Sequence, residues 1–364
     1  MQRREFIVGG VAAMCMAKSA IAAADALLKP GLEVVATSPW LANGIAVSSN
    51  DDYFLNFPRL QGHIASPALA RVTKSGPVPF PGNQWNKWQP GEDGLNSLVN
   101  VNACHIFADN LLWVVDQGAP QGEKAAKGAA KLVAFDIHSG EQQQLIRFDE
   151  QALPQGGAPN DLRIHQHFIY VTDSGLGGII IHDLQNGRTL RRLSKSTLLR
   201  KPDDLDQKGF RGRVLQDKSG TRPAVHSDVI EVSADGMWLY FATPTGPLYR
   251  VSTSALRDAS LDDPTLERQI QKVADIPSTG GSAIDALGNI YLSNVENRSV
   301  DVLRPDGKKE VLIQDDRLLS PDALVIDKGW VYVPAPQMEL TSSNNGGKDA
   351  TKAPWMIYRF RLHV

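Results

Sequence analysis

One phrase recurs six times along this chain: an apolar run, a polar turn, then an apolar-aromatic run that closes on a small or polar residue. The copies begin at Ile45 (IAVSSNDDYFLNF), His105 (HIFADNLLWVVDQG), Leu162 (LRIHQHFIYVTDSG), Val229 (VIEVSADGMWLYFATP), Ala283 (AIDALGNIYLSNV) and Ala323 (ALVIDKGWVYVPAP). Period-two patterning on either side of turn residues is the signature of a β-hairpin. Each copy is followed by a further short strand: LARVTKSG, KLVAFDIHSG, GIIIHDLQNG, PLYRVSTSA, SVDVLRPDG and finally MIYRFRL. Six unequal copies predict radial repetition, which leaves few sheet edges exposed. The expected fold is therefore all-β, a six-bladed β-propeller. Its last strand, within 355–362, needs a partner, and LEVVATS from Leu32 supplies one. The N-terminal strand is expected to complete the last blade.

The domain plan follows. Residues 1–24 read as a twin-arginine signal peptide and 25–364 as a single propeller domain. Arg3-Arg4-Glu5-Phe6 precedes the mildly apolar IVGGVAAMCMA, and AIAAADA offers small residues for cleavage. The apolar stretch is too short to span a bilayer. A periplasmic or secreted product is expected, free of the membrane once the leader is cleaved. Loss of Arg3, Arg4 and Lys18 against Glu5 takes the net charge from −2 to −4, which gives no electrostatic case for nucleic acid. The basic run from Arg188 to Lys201 is followed at once by Asp203, Asp204 and Asp206 and reads as a solvated loop. Cys15 lies in the leader, so Cys104 stands alone and no disulfide framework exists. Neighbouring strand residues point to opposite faces, so Cys104 reads as a packing residue rather than a partner of His105 in nucleophilic chemistry.

Four insertions interrupt the pattern. Segment 76–100 carries Phe80, Trp85 and Trp88 among Pro and Gly, aromatic surface that must be buried against the body or a ligand. Residues 121–130 read as a plain Gly/Ala/Lys connection. The charged segment 194–224 is expected to wrap the outside between blades three and four, and 339–353 to be a mobile polar loop.

In a propeller the loops leading into the innermost strands converge on one mouth of the channel. Aligning the six repeats brings Asn43, Asn102, Asn160 with Asp161, His226 with Ser227 and Asp228, Ser282, and Asp322 to equivalent places. Buried polar groups need partners, and turn capping satisfies only some. Water, a polar ligand or a cation would satisfy the rest. A hard cation such as calcium, or another divalent ion, takes several oxygen ligands; Asn160 and Asp228 lead that set, with Asn43 and Asp161 beside them. No P-loop, G-x-S-x-G elbow, dinucleotide fingerprint or sequential metal motif is present.

The order of a W-V-x-D-x-G strand end (LLWVVDQG), KLVAFDIHSG, and PNDLRIHQHFIYVTDSGLGGIIIHDLQNGRTLRRL resembles the bacterial branch of the major royal jelly protein/yellow family. That resemblance implies an exported six-bladed propeller with a ligand site at one end of its channel; some insect relatives bind biogenic amines there. A wider resemblance, to the senescence-marker/gluconolactonase propellers, implies metal-dependent lactone hydrolysis. Carried over position by position, that family's metal-binding Glu falls on Asn43, its Asn residues on Asn160 and Asp228, and its Asp on Gly280 or Ser282. Two carboxylates are lost and one is gained. The first expectation is thus a small polar or aromatic molecule held at the mouth by Asn43, Asn160, Asp161, His226, Asp228 and Asp322, with Trp85 and Trp88 as a lid. The alternative is a lactonase-like hydrolase with a degenerate metal site.

Overall fold

The computed structural model describes residues 31–60, 63, 65–107 and 110–362; the proposed leader, 1–24, lies outside them. Six four-stranded antiparallel sheets follow one another. Their innermost strands are Gly44–Val47, Val101–Ile106, Pro159–His165, Val229–Val232, Thr279–Ile284 and Val325–Asp327. Each pairs with the next strand in sequence, as the hairpin pattern requires.

The strands read as continuous apolar runs because both faces of a blade are buried. In the second blade, Leu112 and Val114 turn toward the first blade and pack with Phe54 and Phe80. Trp113 and Val115, one residue out of phase, turn toward Ile169 and Val171 of the third. Successive strand side chains point to opposite faces, so each strand knits two inter-blade cores at once. Each large apolar side chain buried this way contributes about 1.5–3 kcal/mol. Cys104 sits in the first of these cores, 2% exposed, and packs as expected.

The ring closes through the chain ends. Glu33–Ser38 pairs antiparallel with Trp355–Arg361, Val34 opposite Tyr358 and Ser38 opposite Trp355, giving the order β(33–38), β(355–361), β(330–335), β(325–327) across the sixth blade.

The insertions depart from expectation. Residues Gly76–Pro79 form the outermost strand of the first blade. The loop beyond them anchors itself: Trp85 packs edge-on to Phe135 between the first two blades. Trp88 is buried beneath the Arg59 guanidinium, its indole N–H donating to the Glu92 carbonyl. Segment 194–224 keeps only its first part between blades three and four, where Leu199 enters their shared core and Ser194 and Ser196 bond Asp263 and Glu267. The rest runs on to the fifth blade, where the Lys208 amide donates to Ser278 Oγ and the Arg211 amide to the Glu296 carbonyl. There it meets the loop expected to be mobile. The Phe210 amide donates to Glu339 Oε2, and Gln216 bridges Asn345. The basic run is also used internally: Arg191 pairs with buried Asp173, and Arg192 donates to the carbonyls of Asp258 and Leu261.

A carboxyl-floored cavity at the channel mouth

The rim of the mouth is braced from beneath by two aspartates that close the second strands of blades two and three. Asp116 accepts from the amides of Val99, Asn100 and Gly118, each at 2.9 Å. Lys131 neutralises it at 2.8 Å while also donating to the carbonyls of Gly94 and Ala129; both side chains are fully buried. Asp173 repeats the device, accepting from the amides of Ala158, Gly175 and Leu176 and pairing with Arg191 at 2.7 Å. A buried ion pair is tolerable only when its remaining hydrogen-bonding capacity is met, and here the mouth loops meet it. The aspartates of LLWVVDQG and IYVTDSG are loop braces.

Above them opens a cavity of about 1430 Å3, lined at its floor by Asn43, Asn102, Asn160, Asp161, Asp228 and Asp322. The repeats do gather these residues around one axis. Ser282 joins them, but His226, Trp85 and Trp88 are not among the lining residues. His226 Nδ1 instead accepts from the Lys201 amide at 3.1 Å, which ties down segment 194–224. Residues 121–128, read above as a plain connection, also line the cavity, together with parts of 207–225 and 338–344.

The floor amides hold neighbouring blades together. Asn43 accepts from Asn56 Nδ2 at 2.6 Å and donates to the Asn102 carbonyl; Asn102 donates in turn to the Asn160 carbonyl. The Asn160 amide group is different. The residue is 8% exposed and lines the cavity, and among the described residues its side chain has no hydrogen-bond partner.

Immediately below lies a layer of charge. Arg163, two residues after Asp161 and on the same face of its strand, donates to Asp161 Oδ2 at 2.8 Å. It reaches Glu231 of the fourth blade at 2.9 and 2.7 Å, and Ser282 Oγ of the fifth donates to the same Glu231 at 2.7 Å. His105 Nε2 lies 2.6 Å from Asp161 Oδ1. Neither Arg163 nor Glu231 was among the residues expected at the site. A charged residue inside an otherwise apolar innermost strand faces the axis, and that signal was present in NDLRI and VIEV.

This layer divides the three aspartates electrostatically. Burial opposes ionisation of Asp161, but the Arg163 guanidinium and the His105 ring outweigh it and hold the carboxyl well below its usual range. Asp228 has no such partner: burial first, and then the Asp161 charge, push it up to about 8. Asp322 is raised well above the ordinary carboxylate value by burial and by the charges of Asp228 and Asp161, with the Ala323 amide and Asn43 offsetting only part. No basic side chain pairs with Asp228 or Asp322 among the described residues.

The lactonase-type metal centre does not fit. Among the described residues no group of three or more His, Cys, Asp or Glu can hold a metal ion. A Cβ at Gly280, where that centre's carboxylate would stand, lies 2.3 Å from the Pro321 carbonyl oxygen and 3.0 Å from Asp322 Cα. Backbone occupies the place of a carboxylate at Gly280, and Ser282, the other position considered, gives its hydroxyl to Glu231.

Comparison with known proteins agrees with the architecture. The sequence model described as major royal jelly protein matches residues 99–363. No curated protein matches the chain. Among solved structures, a gluconolactonase from Xanthomonas campestris is similar at a TM-score of 0.55 and 13% identity, over 92% of this chain and 90% of that one. A calcium-binding protein, regucalcin, from Agrobacterium tumefaciens str. C58 gives 0.52 and 14%, over 92% and 96%. Virginiamycin B lyase from Staphylococcus aureus gives 0.50 and 12%, over 92% and 100%. At these identities the likeness is one of fold.

Proposed function

The chain belongs to the major royal jelly protein family, and from that premise we propose that it binds a small cationic molecule, an amine, at the mouth of its channel. The observation that carries this reading is the pair Asp228 and Asp322. Both carboxyls face the cavity deep in the ring, and neither has a basic partner. Buried charge without a counter-charge is costly. An ammonium group brings that charge with three N–H donors and no acceptor, and its hydrogen bonds to carboxylate are of the strong, charge-assisted kind. The Asn160 amide, without a side-chain partner among the described residues, offers a further acceptor at the same floor. The leader read in residues 1–24 supports a working compartment in the periplasm or the exterior.

The test is isothermal titration of the purified protein with a panel of primary amines at pH 8. Saturable binding that Asp228→Asn weakens at least tenfold is expected. A panel that gives no saturable heat at all defeats the reading.

A further inference from the structure

Resting on that reading, we infer that the ligand class is the aliphatic polyamine, a flexible methylene chain carrying two or more ammonium groups, rather than an aromatic monoamine. Three features of the cavity point there. First, its charge is spread: seven acidic side chains line it against two lysines, Lys124 and Lys127, and of the seven Asp161 and Glu339 are held by Arg163 and Arg298. Lys127 is itself engaged with Glu150 at 3.2 Å. Among the rest, Asp228 and Asp322 from separate blades are unpaired at the floor, and Glu123 stands on the wall. One ammonium neutralises one carboxylate; a chain of them matches a distributed set.

Second, the walls lack what an aromatic amine uses. Phe148 is the one aromatic ring among the lining residues. Sites that grip aromatic or quaternary amines stack them on ring faces and draw on cation–π attraction. Here the walls are mainly small, from Ala119, Ala125 and Ala126 on one side to Gly156, Gly157 and Ala158 on the other. Such surfaces accept a methylene chain without demanding a flat partner. Third, the volume of about 1430 Å3 exceeds the roughly 300–1,000 Å3 of ordinary small-molecule sites. The Asn160 amide, 8% exposed and without a side-chain partner among the described residues, lies in that space as a built-in hydrogen-bonding group for an N–H.

Calorimetry with spermidine, putrescine and tyramine at pH 8 and fixed salt tests this, with Asp322→Asn and Asn160→Ala as variants whose melting temperatures are checked first. Spermidine should bind at least tenfold more tightly than tyramine. Asp322→Asn should cut spermidine affinity at least tenfold, and Asn160→Ala should cut it severalfold. Tyramine binding as tightly as spermidine overturns the polyamine inference while leaving amine binding intact. Spermidine affinity untouched in Asp322→Asn places the polycation on the outer surface and also overturns it. Failure of all three amines sinks the underlying amine reading itself.

Discussion

Arg163 of the third blade grips Glu231 of the fourth through two hydrogen bonds, 2.9 Å from Nε and 2.7 Å from Nη2, at a point where 68 residues of sequence separate them. The same guanidinium holds Asp161 at 2.8 Å. One cation therefore satisfies two carboxylates that are largely shielded from water. Replacing Arg163 by Met takes the guanidinium from both and leaves them only His105 and Ser282 as side-chain partners, and breaking a buried pair from one side costs about 3–5 kcal/mol. Urea unfolding should show that loss, whereas Glu231→Gln, which keeps the hydrogen-bonding shape, should cost less. Equal midpoints for Arg163→Met and wild type would remove the structural role assigned to this layer.

The unpaired floor has a pH signature. Folded Asp228 keeps its proton up to about pH 8, whereas in the unfolded chain it loses it near pH 4. The folded state thus holds the proton more tightly, so this group's contribution is full below about pH 4 and is lost as pH rises through about 8. Asp228→Asn removes the unfavourable ionisation. It should melt higher than wild type at pH 8, by on the order of 1–2 kcal/mol, with the gap closing toward pH 4. A thermal melt series at several pH values checks the slope; a gap that is constant or reversed contradicts it. Amine affinity in the wild type should run the other way and strengthen from pH 6 to 8.

The closure of the sixth blade makes the ring depend on its first strand. Deleting residues 33–38 leaves the edge of Trp355–Arg361 unpaired and takes Ala36 out of the core shared with the first blade, exposing its neighbours Ile45, Tyr332 and Ile357. Amide hydrogen exchange should show protection falling in every blade, because the cores are shared pairwise around the circle. Loss confined to the sixth blade would mean that the blades unfold independently.

The strands that could be read from the sequence are those buried on both faces, because LLWVVD and FIYVTD have no other reason to be continuously apolar. The outermost strands carry no such pattern: QQQLIR at Gln142–Arg147 is largely exposed, and TLRR at Thr189–Arg192 is polar and half-buried. The floor asparagines and aspartates were legible because repetition aligns them. Trp85 and Trp88 misled, since aromatic surface in a loop is buried equally well against its own domain. The crossing of segment 194–224 left no local trace at all: the bond from Phe210 to Glu339 spans 129 residues, and nothing in either stretch names the other.

The glycine at position 280 has a consequence for how such rings can vary. Its missing side chain is what lets the backbone of Pro321 and Asp322 come so near. The fifth and sixth blades therefore compete for a single seat at the axis. An acid can be installed on one or on its neighbour, but not on both, and exchanging one arrangement for the other requires two coordinated substitutions and a shift of the chain between them.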